Sequence, residues 1–253
     1  MPSLQAYQFR MPAGFAGDLQ RAEVATIETQ LISTAAPPTA FGVAVKYVSG
    51  AVQPINLATD TAASVVGINL RPYPIQGNGT DPLGTSTPPT SGVTDVLKRG
   101  YAMVALGGVA AAAKGGTVYV RVGNVSAGKV LGDFEAAPDI AAVGVAGSNT
   151  GNGTIGTLSA TSAATPGAFK VTFTAATAFN VTDPNGIALK AGATGAAYTA
   201  EGLTFTITAG GTAFVAGDSF TVTVTQNTIV MPSNWYFTGP ADAYGITEIA
   251  ANI

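Results

Sequence analysis

Apolar and polar positions alternate with period two through much of the chain, most clearly between residues 168 and 226. Side chains on a strand point alternately to opposite faces, so this pattern predicts half-buried β-strands. Five are expected there: AFKVTFTAA (168–176), AFNVTD (178–183), IALKAG (187–192), LTFTITAG (203–210) and SFTVTVTQ (219–226). Turn segments such as DPNG (183–186) and GGTAFVAGD (210–218) lie between them. Short strands with turn signals at this spacing predict a small sandwich or barrel. Its core would hold Phe173, Phe179, Phe205, Phe214 and Phe220 with Val171, Val181, Ile207 and Val222. Threonine would take the outward positions, where β-branching suits a pleated surface and gives a neutral outer face.

Elsewhere the pattern is looser. Strands are expected at VATIETQLI (24–32), VAVKYV (43–48), SVVGINLR (64–71), DVLKRGYAMVAL (95–106), TVYVRV (117–122) and KVLGDFEA (129–136). The first residues read as an arm, because the Pro and Gly of MPAGFAGDLQRAE (11–23) do not suit a helix interior. PYPIQGNGTDPLGTSTPPTSG (72–92) has no periodicity at all. A connection of that length is usually functional or mobile. The stretch 147–167 is nearly free of charge and reads as a loop or linker, and the texture changes again in the tail, where the one tryptophan, Trp235, stands beside Tyr236 and Phe237. The organisation predicted is all-β. A β-barrel or sandwich host with long loops, residues 1–147 and 228–253, carries an inserted small β-sandwich of immunoglobulin-like type, residues 148–227. Insertion is physically easy where host ends meet at an exposed loop tip.

Composition narrows the function. Only 10% of the 253 residues are charged, against about 25% in typical globular chains. The net charge is −3 and the basic residues are scattered, mostly singly. No basic stripe exists to neutralise phosphates, so no nucleic-acid partner is expected. No apolar run approaches the roughly 20 residues that span a bilayer, so no membrane partner is expected either. The opening MPSLQAYQFR lacks a basic segment followed by an apolar core, which argues against a secretory signal. Cysteine and histidine are both absent. That rules out disulfides and thiolate chemistry, and removes the usual general base and the commonest zinc ligand.

The remaining motifs have plain readings. GNGTIG (151–156) fits G-x-G-x-x-G, but no helical period follows to face a pyrophosphate, so no dinucleotide cofactor is expected. DPNG has the residue order of a type I turn and lacks the further oxygens of a calcium loop, so no metal is expected. Asp133 and Glu135, in GDFEAAPD (132–139), share one face of a predicted strand and read as a solvated strand end. A polysaccharide-cleaving enzyme built on that acid pair is the enzymatic alternative. Asp218, after Gly217, is expected to accept backbone N–H bonds in a tight turn. No catalytic residue is assigned.

The host segments MPAGFAGDLQRAEVATIET, AFGVAVKYVSG, GINLRPYP, VLKRGYAMVAL, AKGGTVYVRV, GDFEA and NWYFTGPADAYGITEIAANI resemble, in order, the structural cement proteins that decorate the capsids of tailed bacteriophages. VTFTAATAFNVTDPNG and ITAGGTAFVAGDSFTVTV resemble an extra β-module found in other phage head proteins. The resemblance implies a non-enzymatic protein made in the host bacterial cytoplasm. It would bind the outer surface of the major capsid protein shell as a homotrimer, at three-fold and quasi-three-fold positions. The segments expected to make those contacts are the arm (Phe9, Arg10, Phe15), the long loop (Tyr73, Ile75) and the terminal aromatic group (Trp235, Tyr236, Phe237), though Trp235 fits a plug of the host core at least as well. The alternative is an adhesin or glycan-binding module displayed on a virion. Sugar platforms need exposed Trp or Tyr, and the insert has only Tyr198.

Overall fold

The computed structural model describes residues 14–72, 87–124 and 129–253. The chain forms two compact units, Met1–Pro138 with Thr228–Ile253, and Asp139–Asn227. Both are all-β.

The first unit starts with β1 (Leu19–Gln20), β2 (Thr26–Leu31), β3 (Ala44–Val48), β4 (Ala51–Pro54), β5 (Gly67–Asn69), β6 (Val93–Gly107), β7 (Tyr119–Arg121) and β8 (Phe134–Glu135). The second unit contains β9 (Ile140–Ala146), β10 (Thr154–Ala160), β11 (Gly167–Phe173), β12 (Ala178–Thr182), β13 (Gly192–Ala193), β14 (Ala197–Ala200), β15 (Leu203–Thr208) and β16 (Ser219–Gln226). The chain then returns to the first unit with β17 (Thr228–Val230), β18 (Tyr236–Phe237) and β19 (Ile246–Ala251).

Strand β6 is the spine of the first unit. Its first half pairs with β2 and β5, and its second half with β1 and β19. Its last residues run parallel to β8. β3 joins β5 to β4, and a parallel bridge from Ile32 to Val52 ties the end of β2 to β4, so this half of the sheet curls back on itself. A strand can pair on both edges along its whole length only if its own backbone stays extended. Gly100, at φ +135 in the middle of β6, is where Ala25 comes so close that a Cβ would stand 3.1 Å from its Cα, beside the register shift between Thr26 and Ile27 of β2. The main core packs Ile68, Leu97, Val104, Phe134, Phe237 and Ile249, with further apolar side chains, around Trp235.

The second unit is a sandwich. A five-stranded sheet in the order β13-β12-β11-β16-β9 faces a three-stranded one, β10-β15-β14. All nine core residues expected from the alternation are buried between the sheets. Phe173 stacks on Phe214 at 4.0 Å between ring centroids, and Phe220 meets Phe214 edge-on. Thr221, Thr223 and Thr225 of β16 point outward, as the period requires. Two expectations fail here. Residues 147–167 are not all linker, since β10 pairs with β15 across a bulge between Gly156 and Ser159. IALKAG (187–192) is not a strand; it contributes only one bridge, at Ala188, and the first residue of β13. Strand β9 lies on the module's side and pairs with β16 along its full length. The unit's two ends also meet, Asn227 donating its backbone N–H to the Asp139 carbonyl at 2.9 Å.

One local device recurs in both units. In FAGD (15–18), VLGD (130–133) and VAGD (215–218) the glycine takes positive φ (+89, +84 and +100). In each, the Asp N–H donates to the carbonyl three residues back, and the Asp carboxylate accepts the N–H of that same residue. Glycine is needed at the third position because L side chains strain there. The carboxylate then holds the turn shut. A strand follows each one, at β1, β8 and β16.

Candidate functional site

Among the sequence candidates, Phe9, Arg10, Tyr73 and Ile75 lie outside the described residues. The Phe15–Asp18 turn and the Arg71–Pro72 stretch, which adjoin them in sequence, are hydrogen-bonded to each other. Arg71 donates its backbone N–H to the Gly17 carbonyl at 2.9 Å, and Gly17 donates its own to Met103 at 2.7 Å. The approach is so close that a Cβ on Gly17 would stand 2.8 Å from the Arg71 nitrogen. Phe15 is 56% exposed, and the Arg71 guanidinium lies over its ring, 4.8 Å from the centroid. Cation and ring face attract through the ring quadrupole. Residues 15–18 and 71–72 therefore meet at a single corner.

A cavity of about 430 Å³ opens beside this corner, lined by Phe15, Phe41, Arg71, Leu106, Val130 and Asp133 among others. A second, of about 260 Å³, shares Thr39 and Val130 with it and is walled by Pro37, Pro54 and Leu131. Together they make a trough with one polar and one apolar part. The Nε of Arg71 is buried without a hydrogen-bond partner among the described residues. Sequence reasoning passed over Arg71. Its signal was position: a cation closing an apolar strand immediately before Pro72 and the aperiodic loop.

Asp133 and Glu135 correct an expectation. They are not a solvated strand end but are buried. Glu135 accepts from Nε of the fully buried Arg121, whose guanidinium also donates to the carbonyl of Gly123 at 3.0 Å. Burial pushes the Asp133 carboxyl up to about 6, opposed by the Val130 N–H bond and by Arg121, and assisted by Glu135. Glycoside cleavage needs two carboxyl groups free to flank a sugar. Here Glu135 is committed to an ion pair and Asp133 to closing its turn.

The terminal aromatic group is corrected as well. Trp235 and Phe237 are core side chains, buried against the ring of Phe134 and the strands of the first unit. Trp235 Nε1 donates to Asn252 Oδ1 at 3.0 Å. Only Tyr236 reaches the surface. Its hydrogen bond with Tyr101, and burial after that, hold its hydroxyl above the usual range. Arg21 covers the Tyr101 ring and pairs with Glu248 at 2.8 Å. Alternation along a strand explains the division, since Trp235 and Phe237 share one face and Tyr236 takes the other. In the second unit, Tyr198 is buried between the sheets against Phe205, so it offers no platform for a sugar. Asp218 does accept backbone bonds in its turn, and also from Thr150 and Gly151 at 2.9 Å each.

An exposed ring, a guanidinium and a trough thus lie together at this corner. Comparison with known proteins gives the class: a structural protein associated with a phage capsid, and so a component of the virion. The family model of the XM1 gp53 minor capsid protein matches residues 4–251, and the chain belongs to that family. No curated protein matches it. Among solved structures, crystals of Xanthomonas campestris FlgL in space groups H3 and C2 align at 24% and 27% identity. They cover 41% and 34% of this chain, with TM-scores of 0.28 and 0.29. The chain spans 31% and 29% of the length of those proteins.

Proposed function

We propose that this capsid protein is a cement: it binds the outer surface of the major capsid protein shell, as trimers at three-fold and quasi-three-fold positions, and stabilises the head. The observation that carries the reading is the corner where residues 15–18 and 71–72 meet, next in sequence to the expected arm and long loop. Segments rooted side by side can reach neighbouring shell subunits from one anchor, and simultaneous contacts multiply modest affinities. A trimer on a three-fold axis repeats each contact identically. A surface with so few charges suits a water-poor interface, because a stranded buried charge is expensive. Phe15 supplies aromatic area at the root of the arm, and Phe9, Arg10, Tyr73 and Ile75 belong to the reaching segments. Co-sedimentation with undecorated shells tests the reading. The protein should pellet with shells at a saturating ratio of three copies per local three-fold position and raise the temperature at which shells rupture. Failure to pellet at micromolar concentration contradicts it.

A further inference from the structure

We propose that the trough beside Arg71 is the seat for a carboxylate-bearing segment of the shell partner, the acid pairing with the guanidinium and a neighbouring apolar side chain filling the cavity between Pro37, Pro54 and Leu131. The inference rests on the shell-binding reading above and assigns its chemistry. Arginine does not lose its charge in proteins, and a buried donor left without an acceptor is costly. Among the described residues Arg71 Nε has none, because Asp133, which lines the same cavity, turns its carboxylate onto the Val130 N–H at 2.8 Å. The group is also held ready. Its backbone is bonded to Gly17, and its plane lies against Phe15. A planar guanidinium presents a fork of N–H donors that matches a carboxylate in two parallel bonds, which a point charge cannot imitate. The continuation of the trough past Thr39 and Val130 is walled mainly by carbon. An acid alone would leave that half empty, so the occupant carries an apolar side chain beside the acid. The arm of a second copy does not fit this description, since residues 1–13 contain Arg10 and no acidic residue.

The test measures binding of the full chain to undecorated shells for wild type, Arg71→Gln, Arg71→Lys and Leu131→Asp, each checked by thermal unfolding. Arg71→Gln should bind at least tenfold more weakly, with Arg71→Lys intermediate because it keeps the charge and loses the fork. Leu131→Asp should also weaken binding, by placing an acid where the partner's apolar group sits. On shells whose surface carboxylates have been amidated, wild type and Arg71→Gln should bind alike. Equal binding of wild type, Arg71→Gln and Leu131→Asp to untreated shells overturns the inference and leaves shell binding intact. If wild type does not bind at all, the shell-binding reading falls and takes this inference with it. A change in the oligomeric state of Arg71→Gln without shells would make a second copy the occupant, which also overturns it. Should Arg71→Gln fail to fold, Arg71→Lys and Leu131→Asp decide.

Discussion

At the scale of single residues, the unusual energetics lie in a few buried polar groups. Asp133 titrates near 6 in the folded chain, against about 3.9 for an unperturbed aspartate. A raised carboxyl pKa means that the folded state favours the neutral acid. The associated stability is complete below about pH 4 and is lost as the pH rises through about 6. Asp133→Asn, a neutral isostere that still accepts the Val130 N–H, should flatten this dependence. Denaturant melts between pH 4.5 and 7.5 should show wild type losing about 2 kcal/mol that the variant keeps. Thr157 is a second case. It stands at φ +50, exposed, within the bulge of β10. A β-branched side chain is strained there, whereas asparagine tolerates the left-handed region. Thr157→Asn should therefore stabilise the chain by about 1 kcal/mol in the same assay.

At the scale of elements, the glycine–aspartate turns set where three strands begin. Asp218 is the most heavily used of them, accepting three backbone N–H bonds. Burial alone would raise its carboxyl, but the bonds from Gly151, Thr150 and Val215 outweigh that and hold it below the usual range. Its contribution is present above the ordinary carboxylate range and disappears as acid titrates the folded group. Asp218→Ala should lower the unfolding midpoint of the chain at neutral pH, and the gap from wild type should narrow in acid.

The same elements show what alternation makes legible. In β15 and β16 large apolar residues alternate with Thr or Ser, and in β11 with Ala168, Lys170 and Thr172, so both the strands and their buried faces could be read directly. β10, TIGTLSA, has few large side chains and two glycines just before it. It is a strand because β15 lies beside it, and no local pattern says so. The short strands β1 and β18 likewise take their identity from partners well separated in sequence, β6 and β19. DPNG was legible because its turn is local: Gly186 donates to the Asp183 carbonyl at 3.0 Å.

At the scale of the whole molecule, the family and the all-β class were readable from the order of short host segments. The candidate site was only half readable. Composition could place aromatic residues in the tail but could not say which side each would take: of the two readings open for Trp235 the core one holds, and Phe237 joins it there. Arg71 and Asp133 meet in one trough through pairings between residues far apart in the chain, and no spacing rule records that. In the proposed function this capsid protein clamps the outside of the shell. Cryo-imaging of undecorated shells incubated with the purified chain tests that most directly. The account predicts added density on the outer surface over the local three-fold positions, with thin extensions reaching neighbouring subunits. Density confined to the inner surface, or absent from those positions at saturating protein, would contradict it.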